Sequence, residues 1–143
     1  MGKTVRALHS GEAEKKCILI VDDHERVRTL LREWLEIVLP ECAVIEAGSG
    51  EEAVVLAQAE IPNVVIMDLS LPQMSGIQAT RLIREAVPPA KAKVVMLTMY
   101  EDEAHRAEAF SAGVSDYVPK RLMQVSLLPT LTRLLTTMEQ NGI

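Results

Sequence analysis

Five side chains in this sequence could do chemistry together. Asp22 and Asp23 follow the apolar run "CILIV" (17–21), and Asp68 follows "VVIM" (64–67). Thr98 closes "KVVMLT" (93–98), and Lys120 follows "DYVP" (116–119). Carboxylates gathered at one spot raise one another's pKa unless a cation lies among them. An all-oxygen donor set suits Mg2+, with Mn2+ able to substitute, rather than zinc. Mg2+ commonly takes one or two carboxylates, keeps water and also holds a phosphate oxygen. Thr98 can donate a hydrogen bond to such an oxygen, and Lys120 can act as its point charge. A carboxylate can also be the nucleophile itself and form an aspartyl phosphate. Asp68, the central one, is the candidate for that role.

These residues meet only if the elements before them lie side by side. The pattern supplies that. Val27, Leu30, Leu31, Trp34, Leu35 and Val38 fall at helical spacing and form one stripe closed by Pro40. "CAVIEA" (42–47) reads as a strand, and Gly48-Ser49-Gly50 as a turn. Glu51 to Ala59 read as a helix with Ser49 near its N-cap. Pro62-Asn63 is a turn before a fully apolar strand, as in a sheet covered on both faces. A polar loop to Gly76 precedes a helix from about Ile77 to Val87, stopped by Pro88-Pro89. Residues 101–113 form a helix ending on Gly113, and Leu128, Leu131, Leu134, Leu135 and Met138 mark a last one. Five strand–helix units in strict alternation predict an α/β fold. It is a doubly wound, five-stranded parallel sheet in the flavodoxin-like order 2-1-3-4-5, with helices on both faces. Ligands bind such sheets outside the C-terminal strand ends, where these five residues fall.

The chain has 143 residues, enough for one domain that needs no disulfide or metal to hold its core. A net charge of −5 argues against a nucleic-acid backbone as partner, so no DNA binding by this fragment is expected. Cys17 and Cys42 read as buried free thiols. No apolar run reaches the ~18 residues of a membrane helix, and no signal-peptide core precedes the first strand. The expectation is a cytoplasmic protein without membrane contact. Residues 1–16, charged and without period, are expected to be a flexible N-terminal tail. Residues 17–138 are the domain, and 139–143 its C-terminal end or the start of a linker.

The stretches "ILIVDDHERVRTLL", "VVIMDLSLPQMSGIQATRLIR", "VVMLTMYED" and "AGVSDYVPK" together resemble the receiver domain of two-component response regulators. "VDDH", "GIQATRLIR" and "LTMYED" look most like receivers of the LuxR/FixJ type. The resemblance implies a role for each site residue. Asp68 matches the phosphoacceptor, Asp23 a direct Mg2+ ligand, and Asp22 its acidic neighbour acting largely through water. The backbone carbonyl of Ser70 would be a further ligand. Thr98 matches the switch hydroxyl, Lys120 the phosphate-binding lysine, and Tyr117 the aromatic that moves between outward and inward positions. Ser70, Met99 and Tyr100 occupy positions that tune access and hydrolysis. The implied partners are a sensor histidine kinase and an output domain or partner protein on the face of the fourth helix, fifth strand and last helix. Homodimerisation is left open. Such a domain switches by accepting and losing a phosphoryl group and is not an enzyme in the usual sense. One departure is that Lys120 is followed by Arg121 and preceded by Pro119, where many receivers have lysine followed by proline.

Plainer readings stand beside these. Asp22-Asp23 could cap the first helix, Thr98 could be an ordinary strand end, and Tyr117 could be core. His24 reads as pointing away from the acidic pair, and His105 as solvated. Met67, Met96 and Met99 read as core packing. Glu101, Asp102 and Glu103 read as the acidic first turn of the fourth helix. A haloacid-dehalogenase-like phosphohydrolase would carry a second aspartate two residues after the nucleophile, where this chain has Ser70. A degenerate receiver would lack an acidic or lysine position, and none is missing. The chain stops at "MEQNGI" where a LuxR-type regulator would continue into a helix-turn-helix module. The expectation is a piece of such a regulator, with a stand-alone receiver or phosphorelay intermediate as the alternative.

Overall fold

The computed structural model describes residues 15–141, with side chains through Thr137. Residues 1–14, most of the expected tail including His9, lie outside the described residues, as does the side chain of Met138. The elements alternate as β1 (Cys17–Val21), α1 (Glu25–Val38), β2 (Ala43–Ala47), α2 (Gly50–Glu60), β3 (Val64–Asp68) and α3 (Gly76–Ala86). They continue as β4 (Lys93–Thr98), α4 (Glu103–Ala112), β5 (Asp116–Pro119), a 3-10 turn (Lys120–Leu122) and α5 (Met123–Asn141). All strand pairs are parallel, in the order β2-β1-β3-β4-β5. The order expected from the sequence is the order found.

Alternate strand residues face opposite sides of the sheet. Leu19, Val21, Val65, Met67, Val94 and Met96 pack under α2, α3 and α4. Ile18, Ile20, Val64, Ile66, Val95 and Leu97 pack under α1 and α5. The helices on the first side present small residues, among them Ala53, Ala57, Ala79, Ala109 and Ala112. Those on the second present leucines, among them Leu31, Leu35, Leu127 and Leu131. Both cysteines are buried and free. Ser49 caps α2, its Oγ accepting from Glu52 N at 3.1 Å, and Gly113 ends α4 in the left-handed region with φ 113°.

Three local expectations need correction. The α1 stripe is only half core: Leu31 and Leu35 are buried, but Val27 and Leu30 are 42% and 60% exposed. The stripe's outer edge lines a cleft that it shares with the start of α5. Met99 is exposed as well, because β4 ends one residue before it. Helix α4 begins two residues later than expected, with Asp102 as its cap, so of the acidic trio only Glu103 lies in its first turn. The fifth strand ends at Pro119, as expected, and Lys120 opens the 3-10 turn that follows.

Candidate functional site

The register sets the site. Val21 pairs with Met67, so Asp22 is level with Asp68. Asp68 pairs with Leu97 and Thr98 pairs with Pro119, so Thr98 and Lys120 each stand one step further along the same edge. Asp68 is 4% exposed, Asp22 4% and Thr98 1%. Burial is the main cause that holds the Asp68 carboxyl above the usual aspartate range, and the charge of Asp22 adds to it. Two contacts oppose that rise. Ser70 N donates to Asp68 Oδ1 at 3.1 Å, and Lys120 Nζ lies 3.4 Å from Asp68 Oδ2.

The loop after Asp68 returns to the sheet through Gly76. Gly76 N donates to the Leu69 carbonyl at 2.9 Å. A Cβ on Gly76 would fall 2.2 Å from the Asp68 carbonyl oxygen and 2.9 Å from Met67 Cγ. Only glycine lets α3 start this close to the strand end. Ser75 and Gln78 then form a capping box that opens α3.

Asp22 and Asp23 do not cap α1, whose N-cap is His24 without a side-chain bond. Asp22 Oδ1 accepts from His24 N at 2.8 Å. The His24 ring turns toward the acidic pair rather than away, with Nδ1 3.3 Å from an oxygen of Asp22 and of Asp23. Asp23 Oδ1 is buried and accepts no hydrogen bond. Such an oxygen is costly, and a hard cation would satisfy it. The donor set fits one: carboxylates of Asp22, Asp23 and Asp68 at one sheet edge, with the Ser70 backbone beside them. Among the described residues, Asp22, Asp23 and His24 are the group close enough to share an ion.

Several positioning residues escaped the sequence reading. Arg28 donates through Nη1 to the Asp22 carbonyl at 2.7 Å and through Nε to Glu46 Oε1 at 3.0 Å. Arg32 completes the bracket, its Nη2 2.6 Å from Glu46 Oε2. Nothing in the charged surface of α1 singles out Arg28. Gly76 had a signal, since a proline and a glycine follow the aspartate in the same loop.

On the other side, Thr98 Oγ1 accepts from Tyr100 N at 2.9 Å. Tyr117 is buried, its hydroxyl donating to the Tyr100 carbonyl at 2.9 Å. Burial pushes its phenol up. His105 is not simply solvated: its Nδ1 lies 2.8 Å from the Asp102 carboxylate, and its ring stacks on Tyr100. Glu101 pairs with Arg121, Arg121 Nε donating to Glu101 Oε2 at 2.7 Å. A cleft of about 610 Å³ adjoins the site between α1 and the start of α5. Val27, Leu30, Trp34 and Met123 line it together with Asp22 and Lys120. Among the described residues no helix is long and apolar enough to cross a membrane.

Comparison with known proteins agrees with this fold. The family model for the response regulator receiver domain matches residues 18–132. The chain is 39% identical over 103 residues to response regulator UvrY of Escherichia coli O157:H7, covering 72% of this chain and 46% of that protein. It thus spans about half the length of the curated relatives it matches. A two-component response regulator of the LuxR family from an Aurantimonas species is 36% identical with a TM-score of 0.79, covering 87% of each chain. Response regulator TrrA of Thermotoga maritima, solved in complex with Mg2+-BeF, is 30% identical with a TM-score of 0.72. That match covers 83% of this chain and 98% of TrrA.

Proposed function

This chain belongs to the response regulator receiver domain family, on its LuxR/FixJ side, and from that premise we propose that it is a switch that accepts a phosphoryl group on Asp68 from a histidine kinase. The observation that supports this most is the pairing of a buried, proton-hungry Asp68 with Lys120 at 3.4 Å, beside an Asp23 oxygen that is buried and accepts no hydrogen bond.

The donor is a phosphohistidine or a small acyl phosphate. An Asp68 oxygen attacks phosphorus in line, and the new P–O bond forms as the bond to the donor's imidazole or acyl oxygen breaks. The leaving group departs with its electron pair and takes its proton from solvent. Lys120 faces the oxygens that gain charge. Ser70 N holds Asp68 Oδ1 and so aims the other oxygen. The Thr98 hydroxyl accepts from Tyr100 N and lies beside the Tyr117 hydroxyl, and its own proton would turn to a phosphoryl oxygen once one is present. Asp23, Asp68 and the Ser70 carbonyl, with Asp22 beside them, would hold Mg2+ or Mn2+, which would supply positive charge to the phosphoryl oxygens. TrrA, solved with Mg2+-BeF, supports that assignment by likeness. Val27 and Leu30, exposed beside Lys120, offer the protein that carries the donor an apolar footing.

The readout is a change in the α4-β5-α5 face, where Tyr117, Arg106 and Arg121 lie. Its consumer is an output domain or partner protein, and the LuxR-type likeness supports transcription as the output. Ser70, Met99 and Tyr100 flank the phosphoryl position and set how long the group survives. The chain is a phosphoacceptor, with autophosphorylation and autodephosphorylation as its only chemistry.

The test is intact mass after incubation with acetyl phosphate, with and without Mg2+, on wild type and Asp68→Asn. One phosphoryl addition that needs both Mg2+ and Asp68 is expected. An addition that persists in Asp68→Asn would overturn the assignment, and no addition from either acetyl phosphate or a phosphorylated kinase domain would show a degenerate module.

A further inference from the structure

Tyr100 lies between β4 and α4 and is held at three points. Its N–H donates to Thr98 Oγ1 at 2.9 Å. Its carbonyl accepts from the Tyr117 hydroxyl at 2.9 Å. Its ring lies flat on His105, centroids 4.2 Å apart and planes 13° from parallel. His105 is itself fixed. Its backbone N donates to Asp102 Oδ2 at 3.0 Å in the helix cap, and its Nδ1 lies 2.8 Å from the same carboxylate. One residue's two backbone groups therefore orient both the hydroxyl beside the phosphoacceptor and the buried tyrosine of β5. The piece of α4 that holds that residue is the His105 ring. The next residue of α4, Arg106, sets its guanidinium 5.8 Å from the Tyr117 ring centroid, so α4 touches the buried tyrosine directly as well.

We propose that the Tyr100–His105 stack is a latch: it fixes the Tyr100 backbone, holds Tyr117 in its buried position, and so lets helix α4 set how firmly the site grips a phosphoryl group. This rests on the reading of Asp68 as phosphoacceptor. His105 is a positioning residue, since it acts through Tyr100 and touches no reacting atom. The coupling runs both ways by linkage. A phosphoryl group that favours the buried Tyr117 tightens the stack, and a partner that pries His105 from Tyr100 loosens the site. An aromatic pair of this kind carries enough free energy for about a threefold to tenfold change in an equilibrium.

The chain has one tryptophan and two tyrosines, which makes the test simple to read. The full chain is labelled with fluorotyrosine, and the two resonances are assigned with Tyr100→Phe. Trp34, which lines the cleft beside Lys120, reports binding of beryllofluoride with Mg2+ by its fluorescence. His105→Ala should weaken beryllofluoride binding about threefold to tenfold and move the Tyr117 resonance of the unliganded protein toward that of an exposed ring. His105→Phe, which keeps a flat ring and drops the Asp102 contact, should restore both. An unmoved Tyr117 resonance in His105→Ala would overturn the latch, and so would failure of the phenylalanine to rescue. If wild type does not bind beryllofluoride at all, the reading of Asp68 fails, and the Tyr117 resonance, which needs no ligand, still decides the latch.

Discussion

At the N-terminal end of the sheet, Asn63 ties three strands together. Its side-chain oxygen accepts from Cys17 N at 2.7 Å, its N–H donates to the Cys17 carbonyl at 2.9 Å, and its carbonyl accepts from Lys93 N at 3.0 Å. At the C-terminal end, the same central strands finish on Asp22, Asp68 and Thr98, with a carboxylate oxygen of Asp23 left without a hydrogen bond. Both ends bury polar groups. The first is neutral and satisfied from within, so it stabilises the fold. The second concentrates three carboxylates against the single ammonium of Lys120, so it favours whatever brings more positive charge or takes up the carboxylate. The division of labour along one set of strands separates holding the fold from doing chemistry, and substitutions at the two ends should therefore fail in opposite ways.

The largest effect expected is at Asp68. Asp68→Asn should lose phosphoryl acceptance from acetyl phosphate completely, by intact mass, and yet fold more stably. The sign follows from the raised carboxyl of Asp68. The folded state holds this proton more tightly than the unfolded state does. The ionised group therefore costs stability, fully at neutral pH and progressively less as pH falls through the raised value toward the ordinary aspartate range. In EDTA at pH 7, Asp68→Asn should melt roughly 2–4 °C above wild type, with the gap closing in acid. A lower melting temperature for the asparagine variant at pH 7 would mean that this end of the sheet is satisfied after all.

Next is Gly76. Its missing side chain is what allows the Asp68 carbonyl to pack against the start of α3, at a distance where a Cβ would fall 2.2 Å from that oxygen. Gly76→Ala should cost about 3 kcal/mol by denaturant unfolding, since backbone rather than a flexible side chain must move. It should also lower the rate of phosphoryl acceptance, because the displaced backbone is that of the nucleophile. Asn63→Ala makes the contrast. It takes the side-chain acceptor from the buried Cys17 N–H at the other end, at a cost of about 1–3 kcal/mol. The phosphorylation level at saturating acetyl phosphate should stay unchanged below the melting transition. If Asn63→Ala impaired phosphorylation while the protein remained folded, the two ends would be coupled and the separation argued here would be wrong.

The sheet and its order were legible because a buried parallel strand can be little else than a short apolar run, and each chemical residue stood directly after one. Asp68, Thr98 and Lys120 needed only strand register to be brought to one edge. What the sequence concealed depends on where side chains turn after the regular elements end. His24 follows the acidic pair by one residue, and the backbone bond from its own N–H to Asp22 turns it back over the carboxylates. His105 sits among charges that suggest solvent, but its aromatic partner precedes the helix by three residues. Val27 and Leu30 satisfy the α1 stripe by spacing, and only the position of α5 decides that they stay exposed. Periodicity reports which face of an element is apolar and says nothing of how much of that face its neighbour covers.

The smallest effect expected lies at Arg28, where the two functions of a strand end meet in one side chain. Its guanidinium holds the Asp22 carbonyl at 2.7 Å and Glu46 on the edge strand at 3.0 Å, while Arg32 holds the other oxygen of Glu46. Arg28→Ala leaves Glu46 its second arginine, so the loss in stability should be modest, about 1 kcal/mol. The Asp22 backbone would lose its anchor, and the two aspartates beside it would sample more orientations. Mg2+ binding, followed by Trp34 fluorescence, should weaken by about twofold to fivefold, an ordering cost of the size that one loosened side chain carries. Arg28→Lys keeps the charge and cannot make both bonds at once from a single ammonium reaching in two directions. It should therefore resemble the alanine variant in Mg2+ affinity. If lysine restored wild-type binding, the contribution of Arg28 would be its charge rather than its grip on the backbone, and the acidic end of the sheet would owe its geometry to the strands alone.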